Sequence, residues 1–176
     1  MVTEQDKILE AVKIAIDMEN DGKECYQQAS QQSGNEVGRK LLQSLAIEED
    51  IHRQKFIEIY QTIEKKKGWP AADFRPDSGK RLRELFTRAC EVTGVQAKVG
   101  ATEFDAINTA IAKEKKSYDF YNSQGQKATY DEERNFYRAL AAEEREHELI
   151  LVNYYEYLTD PVDWFTRMEH HSLDGG

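Results

Sequence analysis

Proline is scarce: the 176 residues hold three, Pro70, Pro76 and Pro161. No stretch keeps up the apolar–polar alternation of a strand, so long helices punctuated at the prolines are expected. Cysteine is scarcer still. Cys25 and Cys90 are far apart and form no C-x-x-C, which excludes a disulfide framework or a zinc knuckle. Each reads as a small buried apolar residue. No run of about 18 apolar residues occurs, so no membrane-spanning helix is expected. The opening MVTEQDKILE has no basic-then-apolar leader, and a cytoplasmic location is the default. Positive charge is in deficit: 24 Lys and Arg face 33 Asp and Glu, a net charge of −9. Nucleic acid and anionic membrane are therefore poor partners.

What the chain does have is an internal echo. Residues 45–60 read LAIEEDIHRQKFIEIY, and residues 140–155 read LAAEEREHELILVNYY. Each carries Glu-x-x-His, as Glu49 with His52 and Glu144 with His147, at an offset of 95 (144 − 49 and 147 − 52). The same offset carries Glu19 onto Glu114 and Tyr26 onto Tyr121.

Four long helices follow from the pattern. The first, from about Glu4 to Gln31, has the stripe Ile8, Val12, Ala15, Glu19, Gly22, Tyr26, Ala29. Steps of four and three mark the seam of a bundle helix. The second runs to about Lys67 after a capping box, Ser33 with Glu36, and has the stripe Leu42, Leu45, Glu49, His52, Phe56, Ile59, Ile63. Lys65, Lys66 and Lys67 suit its end, and Gly68 its stop. The third runs from about Thr102 to Lys127 along Glu103, Ile107, Ala110, Glu114, Ser117, Tyr121, Gln124. The fourth follows a second capping box, Thr129 with Glu132. Its stripe is Tyr137, Leu140, Glu144, His147, Leu151, Tyr154, Leu158, and Pro161 closes it. Within 68–102, Lys80 to about Glu91 suits a short helix with Leu82, Leu85 and Phe86 turned inward.

The expected fold is all-α: a ferritin-like four-helix bundle of two pseudo-repeated hairpins. Residues 1–160 form the domain, with hairpin 4–67, crossover 68–102 and hairpin 103–158; residues 161–176 are a tail that docks through Trp164 and Phe165 or is partly loose. Antiparallel helices bring residues level when they are equidistant from the turn. Glu19 and Glu49 are thus level, about 22 Å from the turn at 1.5 Å per residue, and so are Glu114 and Glu144. A pseudo-two-fold axis puts the two turns at opposite ends, which a long crossover can serve and a short loop cannot.

Packing the hairpins together brings four carboxylates and two imidazoles to one place. Burying them uncompensated is prohibitive, and two divalent cations would cancel four ionised glutamates. Mixed carboxylate and imidazole ligands suit iron, with manganese the other choice. A Glu from each of two helices and a Glu-x-x-His from each of the others is the ligand set of di-iron and di-manganese bundles. The candidate metal-binding and catalytic residues are therefore Glu19, Glu49, His52, Glu114, Glu144 and His147. Tyr26 and Tyr121 lie two turns from their own glutamates; they are either core aromatics or hydroxyls that orient a ligand on a facing helix. Gly22 and Ser117 leave either close helix packing or room beside the metals for a small oxidant. Glu48 and Glu143 adjoin the motifs but leave the seam, and read as solvated. Glu103 suits the start of its helix. His170 and His171, near the chain end, read as solvated.

Over about residues 5–158 these features resemble the rubrerythrin branch of the ferritin-like superfamily. The residues concerned are Glu19 with Tyr26, Glu49-x-x-His52, Glu114 with Tyr121 and Glu144-x-x-His147, with the segments ECYQQAS and YDFYNSQGQKA. The resemblance implies a non-haem di-iron centre that reacts with hydrogen peroxide or dioxygen. It implies the same six ligands, with Glu49 and Glu144 bridging. Full-length rubrerythrins add a rubredoxin-like domain with cysteine pairs, absent from these residues, so the electron donor would be a separate, rubredoxin-like protein. They also carry a glutamate one turn after the third-helix ligand, where this sequence has Ser117. A homodimer is a possible assembly. The alternatives are an iron-binding or ferroxidase protein that handles or stores iron, which would need a shell-forming oligomer, and a metal-free helical scaffold.

Overall fold

The computed structural model describes residues 3–65, 68–71, 74–96 and 99–173. Six helices account for most of them: α1 Glu4–Gln32, α2 Glu36–Lys65, α3 Lys80–Thr93, α4 Ala101–Lys127, α5 Asp131–Thr159 and α6 Pro161–Leu173. No strand occurs among the described residues. The fold is the expected all-α bundle, with α1 paired to α2 and α4 to α5. Lys66 and Lys67, expected to end α2, lie outside the described residues; Gly68 follows at φ 99°, a backbone shape that favours glycine. No described helix is long and apolar enough to cross a membrane.

Seam residues went where the periodicity sent them. Every member of the α1, α2 and α5 stripes is buried. In α4 all are buried except Ser117 and Gln124, which are half-buried. Buried apolar residues form two clusters. One joins the end of α1 and the start of α2 (Tyr26, Leu41, Leu45) to the start of α4 and the end of α5 (Ile107, Leu151, Tyr154). The other joins the start of α1 and the end of α2 (Val12, Phe56, Ile63) to the end of α4 and the start of α5 (Tyr121, Phe136, Leu140). So α1 and α4 run antiparallel, and the polar seam residues lie between two apolar halves.

Polar locks fix that arrangement at each end. In the first turn, Gly34 N and Ser33 Oγ donate to the Glu103 carboxylate at 2.9 and 2.6 Å, and Tyr154 OH donates to it at 2.6 Å. At the other end, Thr129 Oγ1 donates to Glu4 at 3.0 Å. Each turn therefore sits beside the start of the other hairpin, which is the topology a crossover produces. Glu103 serves as a clamp between hairpins, beyond the helix-start role expected for it.

Both expected capping boxes are displaced. Asn35 caps α2, its Oδ1 accepting from Gly38 N at 2.8 Å, because Ser33 is engaged by Glu103. Glu36 instead pairs with Arg39 and Lys40. Before α5 it is Glu133, not Glu132, that reaches back, accepting from Thr129 N at 3.1 Å. The hydroxyl of Thr129 is spent on Glu4.

The crossover helix α3 buries Leu82, Phe86, Ala89 and Cys90 against the first cluster, while Leu85 is half-buried. Pro161 does not merely stop α5; it is the first residue of α6, a position that needs no N–H. Trp164 is buried edge-on to Phe86 and Tyr157, and its indole donates to Asn153 Oδ1 at 2.6 Å. Phe165 packs half-buried beside it. Thus residues expected as a tail form a docked helix. His170 is exposed; the side chain of His171 lies outside the described set.

Gly38 lies under the Glu103 clamp. A Cβ there would sit 2.1 Å from Tyr154 Oη and 2.5 Å from both Glu103 Oε1 and Ser33 Oγ. Gly38→Ala should therefore lower stability by about 1–3 kcal/mol, the range for overpacking, despite alanine's better helix propensity. Thermal or denaturant unfolding measures this; an unchanged or raised midpoint would show that the clamp yields freely.

Candidate metal centre

Between the two apolar clusters the four helices turn six polar side chains inward. Exposures are 1% for Glu19, 3% for Glu49, 2% for His52, 3% for Glu114 and 0% for Glu144 and His147. Their ligand atoms fall into two overlapping groups. Glu19, Glu49, His52 and Glu144 form one, and Glu49, Glu114, Glu144 and His147 the other; within each, the atoms lie within 4.8 Å of one another. Glu49 and Glu144 belong to both.

The imidazoles present Nδ1 to the carboxylates. His52 Nδ1 is 3.4 Å from Glu19 and 3.3 Å from Glu144. His147 Nδ1 is 3.1 Å from Glu49 and 3.7 Å from Glu114. The two rings lie nearly parallel, 5.7 Å apart at 13°. Seven buried atoms of the six residues have no hydrogen-bond partner: Glu19 Oε2, Glu49 Oε1, His52 Nδ1, Glu114 Oε2, both oxygens of Glu144 and His147 Nδ1. Orphaned acceptors in such number, facing one another, are intolerable in a protein interior unless something cationic satisfies them. The donor set is oxygen with imidazole nitrogen, which suits iron or manganese. These residues could hold metal, and the geometry fits it.

Tyr26 and Tyr121 supply the remaining bonds, and each crosses between hairpins. Tyr26 OH on α1 donates to Glu114 on α4. Tyr121 OH on α4 donates to Glu19 on α1. Of the two roles open to them, the tyrosines thus fill that of orienting a carboxylate on the facing helix. Burial, then the nearby glutamates, holds both phenols well above their ordinary value, so they stay protonated donors.

Charge inside the cluster is strongly coupled. Burial, then the carboxylates of Glu144, Glu19 and Glu114, pushes Glu49 well above the usual carboxylate range. Burial, then Glu114 and Glu19, does the same to Glu144. For His147, burial disfavours the imidazolium, but the close carboxylates of Glu114, Glu48 and Glu49 outweigh it and raise the group well above its ordinary value. His52 is raised in the same way, chiefly by Glu19 against burial. Glu114 goes the other way, the nearby His147 imidazole outweighing burial.

Two glutamates expected in solvent are part of this environment. Glu48 is 7% exposed and Glu143 is 3% exposed. Glu48 Oε2 lies 3.2 Å from His147 Nε2, the ring nitrogen that faces away from the cluster, and Glu48 Oε1 accepts from Arg81 on α3 at 3.1 Å. A readable signal existed, since Glu48 and Glu143 share the 95-residue offset of the ligands (143 − 48). The crossover covers His52 with Phe74, edge-on at 5.7 Å.

On the α1–α4 side a cavity of about 60 Å³ reaches Glu49 and Glu114, lined by Gly22, Cys25, Tyr26 and Ser117 among others. A Cβ on Gly22 would lie 2.5 Å from Glu49 Oε2, so this glycine is what admits the Glu49 carboxylate. Cys25 is half-buried on the cavity wall, not in the core as expected; Cys90 is buried.

A family model described as Rubrerythrin matches residues 10–155, and a second match covers residues 105–171. The chain belongs to the rubrerythrin family. Neither the curated proteins nor the solved structures include a match. Membership of the rubrerythrin family implies iron binding, and the buried carboxylate–imidazole cluster is a group of side chains that could hold metal.

Two outcomes follow for this centre. Tyr121→Phe should weaken metal binding about 10- to 100-fold by releasing Glu19, as loss of an outer hydrogen bond to a ligand typically does; chelator competition measures it, and unchanged affinity would make the tyrosine a packing residue. The second concerns pH. Without metal, folded Glu49, Glu144, His52 and His147 hold protons more tightly than the unfolded chain. Their stabilisation is complete below the ordinary values of 4.5 and 6.5 and is lost as pH rises through the folded values. Glu114, lowered, contributes in the opposite sense, losing stabilisation as pH falls. That loss lies below about 4.5, so above it the raised groups set the trend and the metal-free protein should melt lower as pH rises, while metal loading releases protons and reverses the trend. Melts with and without metal across that range check this, and a metal-free melt that climbs with pH overturns it.

Proposed function

We propose that the six side chains hold two iron ions and that the protein is an oxidoreductase that reduces hydrogen peroxide or dioxygen. Glu49 and Glu144, common to both ligand groups, would help hold both ions; Glu19 with His52 would complete one set and Glu114 with His147 the other. The observation that supports this reading is the sharing of Glu49 and Glu144 by two otherwise separate ligand groups. Bound iron supplies the electrons and polarises the O–O bond.

The chain's own residues do the rest. Four carboxylates set the charge that two divalent ions balance. Tyr26 and Tyr121 hold Glu114 and Glu19 in place as charge shifts at the centre. The cavity beside Gly22 and Ser117 admits a molecule of a few heavy atoms and excludes a bulky substrate. Tyr26 lines that cavity with a hydroxyl already committed to Glu114, so it orders the carboxylate beside an incoming oxidant. Reducing peroxide to two waters takes two electrons and two protons. Returning the centre to its starting state then needs electrons from a separate donor, such as a rubredoxin-like protein. The two free cysteines are no disulfide, which accords with a cytoplasmic setting.

An iron-handling or ferroxidase role is the second reading, and turnover separates the two. Anaerobic protein is loaded with ferrous iron, titrated with peroxide, then offered a reduced rubredoxin-like donor. The expected result is two irons bound, two oxidised per peroxide, and repeated cycles once the donor is present. Oxidation that stops after one round and accumulates ferric mineral in a large oligomer would establish storage instead. Loss of peroxide at the rate of free iron would remove the enzymatic reading.

A further inference from the structure

On the side of the centre opposite the small cavity, a wider cleft of about 250 Å³ opens beneath the crossover. Its floor is His52, and its walls include Glu48, Glu143, Asp77 and Arg81. His52 belongs to both places: its ring lines the cleft, while its Nδ1 faces Glu19 and Glu144 in the centre. One imidazole therefore separates the solvent-open cleft from the buried cluster.

Glu48 and Glu143 converge at that boundary, one from α2 and one from α5. With His147 they present ligand atoms within 4.8 Å of one another. Glu143 is 3% exposed, lines the cleft, and has its Oε1 buried without a hydrogen-bond partner. Glu48 is engaged on both oxygens, by His147 and by the Arg81 guanidinium. Arg81 itself is 66% exposed on its side chain, so it can swing away into water. A buried carboxylate with an orphaned oxygen, beside a second carboxylate held by a displaceable counter-ion, is a place prepared for a cation.

The geometry points to a third, transient divalent-cation site at Glu48 and Glu143, through which metal ions pass from the cleft to the buried centre. This rests on the two-metal reading above. His147 contributes Nδ1 to the centre, so the transit ion is held by two carboxylates and water. That is a weak ligand set for a divalent ion, as a transit site requires. Asp77 adds negative charge at the mouth. Arg81 opposes the cation there and must release Glu48 as it arrives.

Co²⁺ uptake by the metal-free full-length chain tests this, followed by stopped-flow absorbance, with stoichiometry from equilibrium dialysis. In the wild type, two ions bind tightly and a third binds weakly. Glu143→Gln keeps the shape but removes the charge. It should abolish the weak third ion and slow loading about tenfold, the scale of lost electrostatic focusing, while two tight ions still bind at the end. Arg81→Gln, an exposed change that leaves the core intact, should speed loading. Loading of Glu143→Gln at the wild-type rate with the third ion retained overturns the transit site and leaves the two-metal centre standing. Slower loading in Arg81→Gln overturns it as well. Wild-type protein that binds no tight pair of ions removes the two-metal reading, and the transit site with it.

Discussion

Four glutamates inside a helical bundle are the constraint from which the rest of this structure follows. Each loses its hydration on burial and repels the others, at a cost no amount of flanking leucine offsets. The fold therefore separates its apolar surface into two clusters, at either end of the bundle, and leaves a polar layer between them. Its charged core consists of carboxylates, imidazoles that can share their charge, and phenols that can donate to them. A cation is the one further partner that satisfies the orphaned oxygens together.

The crossover is the second consequence. The two hairpins lie with their turns at opposite ends, and only a long connection between α2 and α4 permits this. Having been made long, the connection acquires work of its own. Its Phe74 covers His52, its Arg81 neutralises Glu48, and its helix α3 seals one apolar cluster. The two halves of the repeat are alike in sequence, yet only one side of the centre lies beneath this cover.

Much of this was legible before any coordinates. The 95-residue echo picked out the six inward side chains, because seam periodicity and turn distance are both properties of a straight helix that a sequence displays directly. What it hid depended on contacts between hairpins. The clamp of Glu103 on Ser33, Gly34 and Tyr154 joins three distant segments, and by occupying Ser33 it moved the cap of α2 to Asn35. Glu48 and Glu143 were read from the geometry of one helix, where they lie off the seam. A bundle with a covering crossover has a second inward face, which a single-helix wheel does not show. The α6 helix was obscured for a similar reason: a proline that ends one helix can begin the next, and Trp164 found its pocket only once α3 and α5 were in place.

The crossed tyrosines carry a last implication. Each phenol anchors a carboxylate belonging to the other hairpin, so neither half retains a complete set of supports by itself. A change to Tyr26 is felt in the second half of the chain and a change to Tyr121 in the first. The two repeated halves are thereby interlocked: a side chain on a wet face can be replaced singly, whereas one at the shared axis can be replaced only together with its counterpart across it.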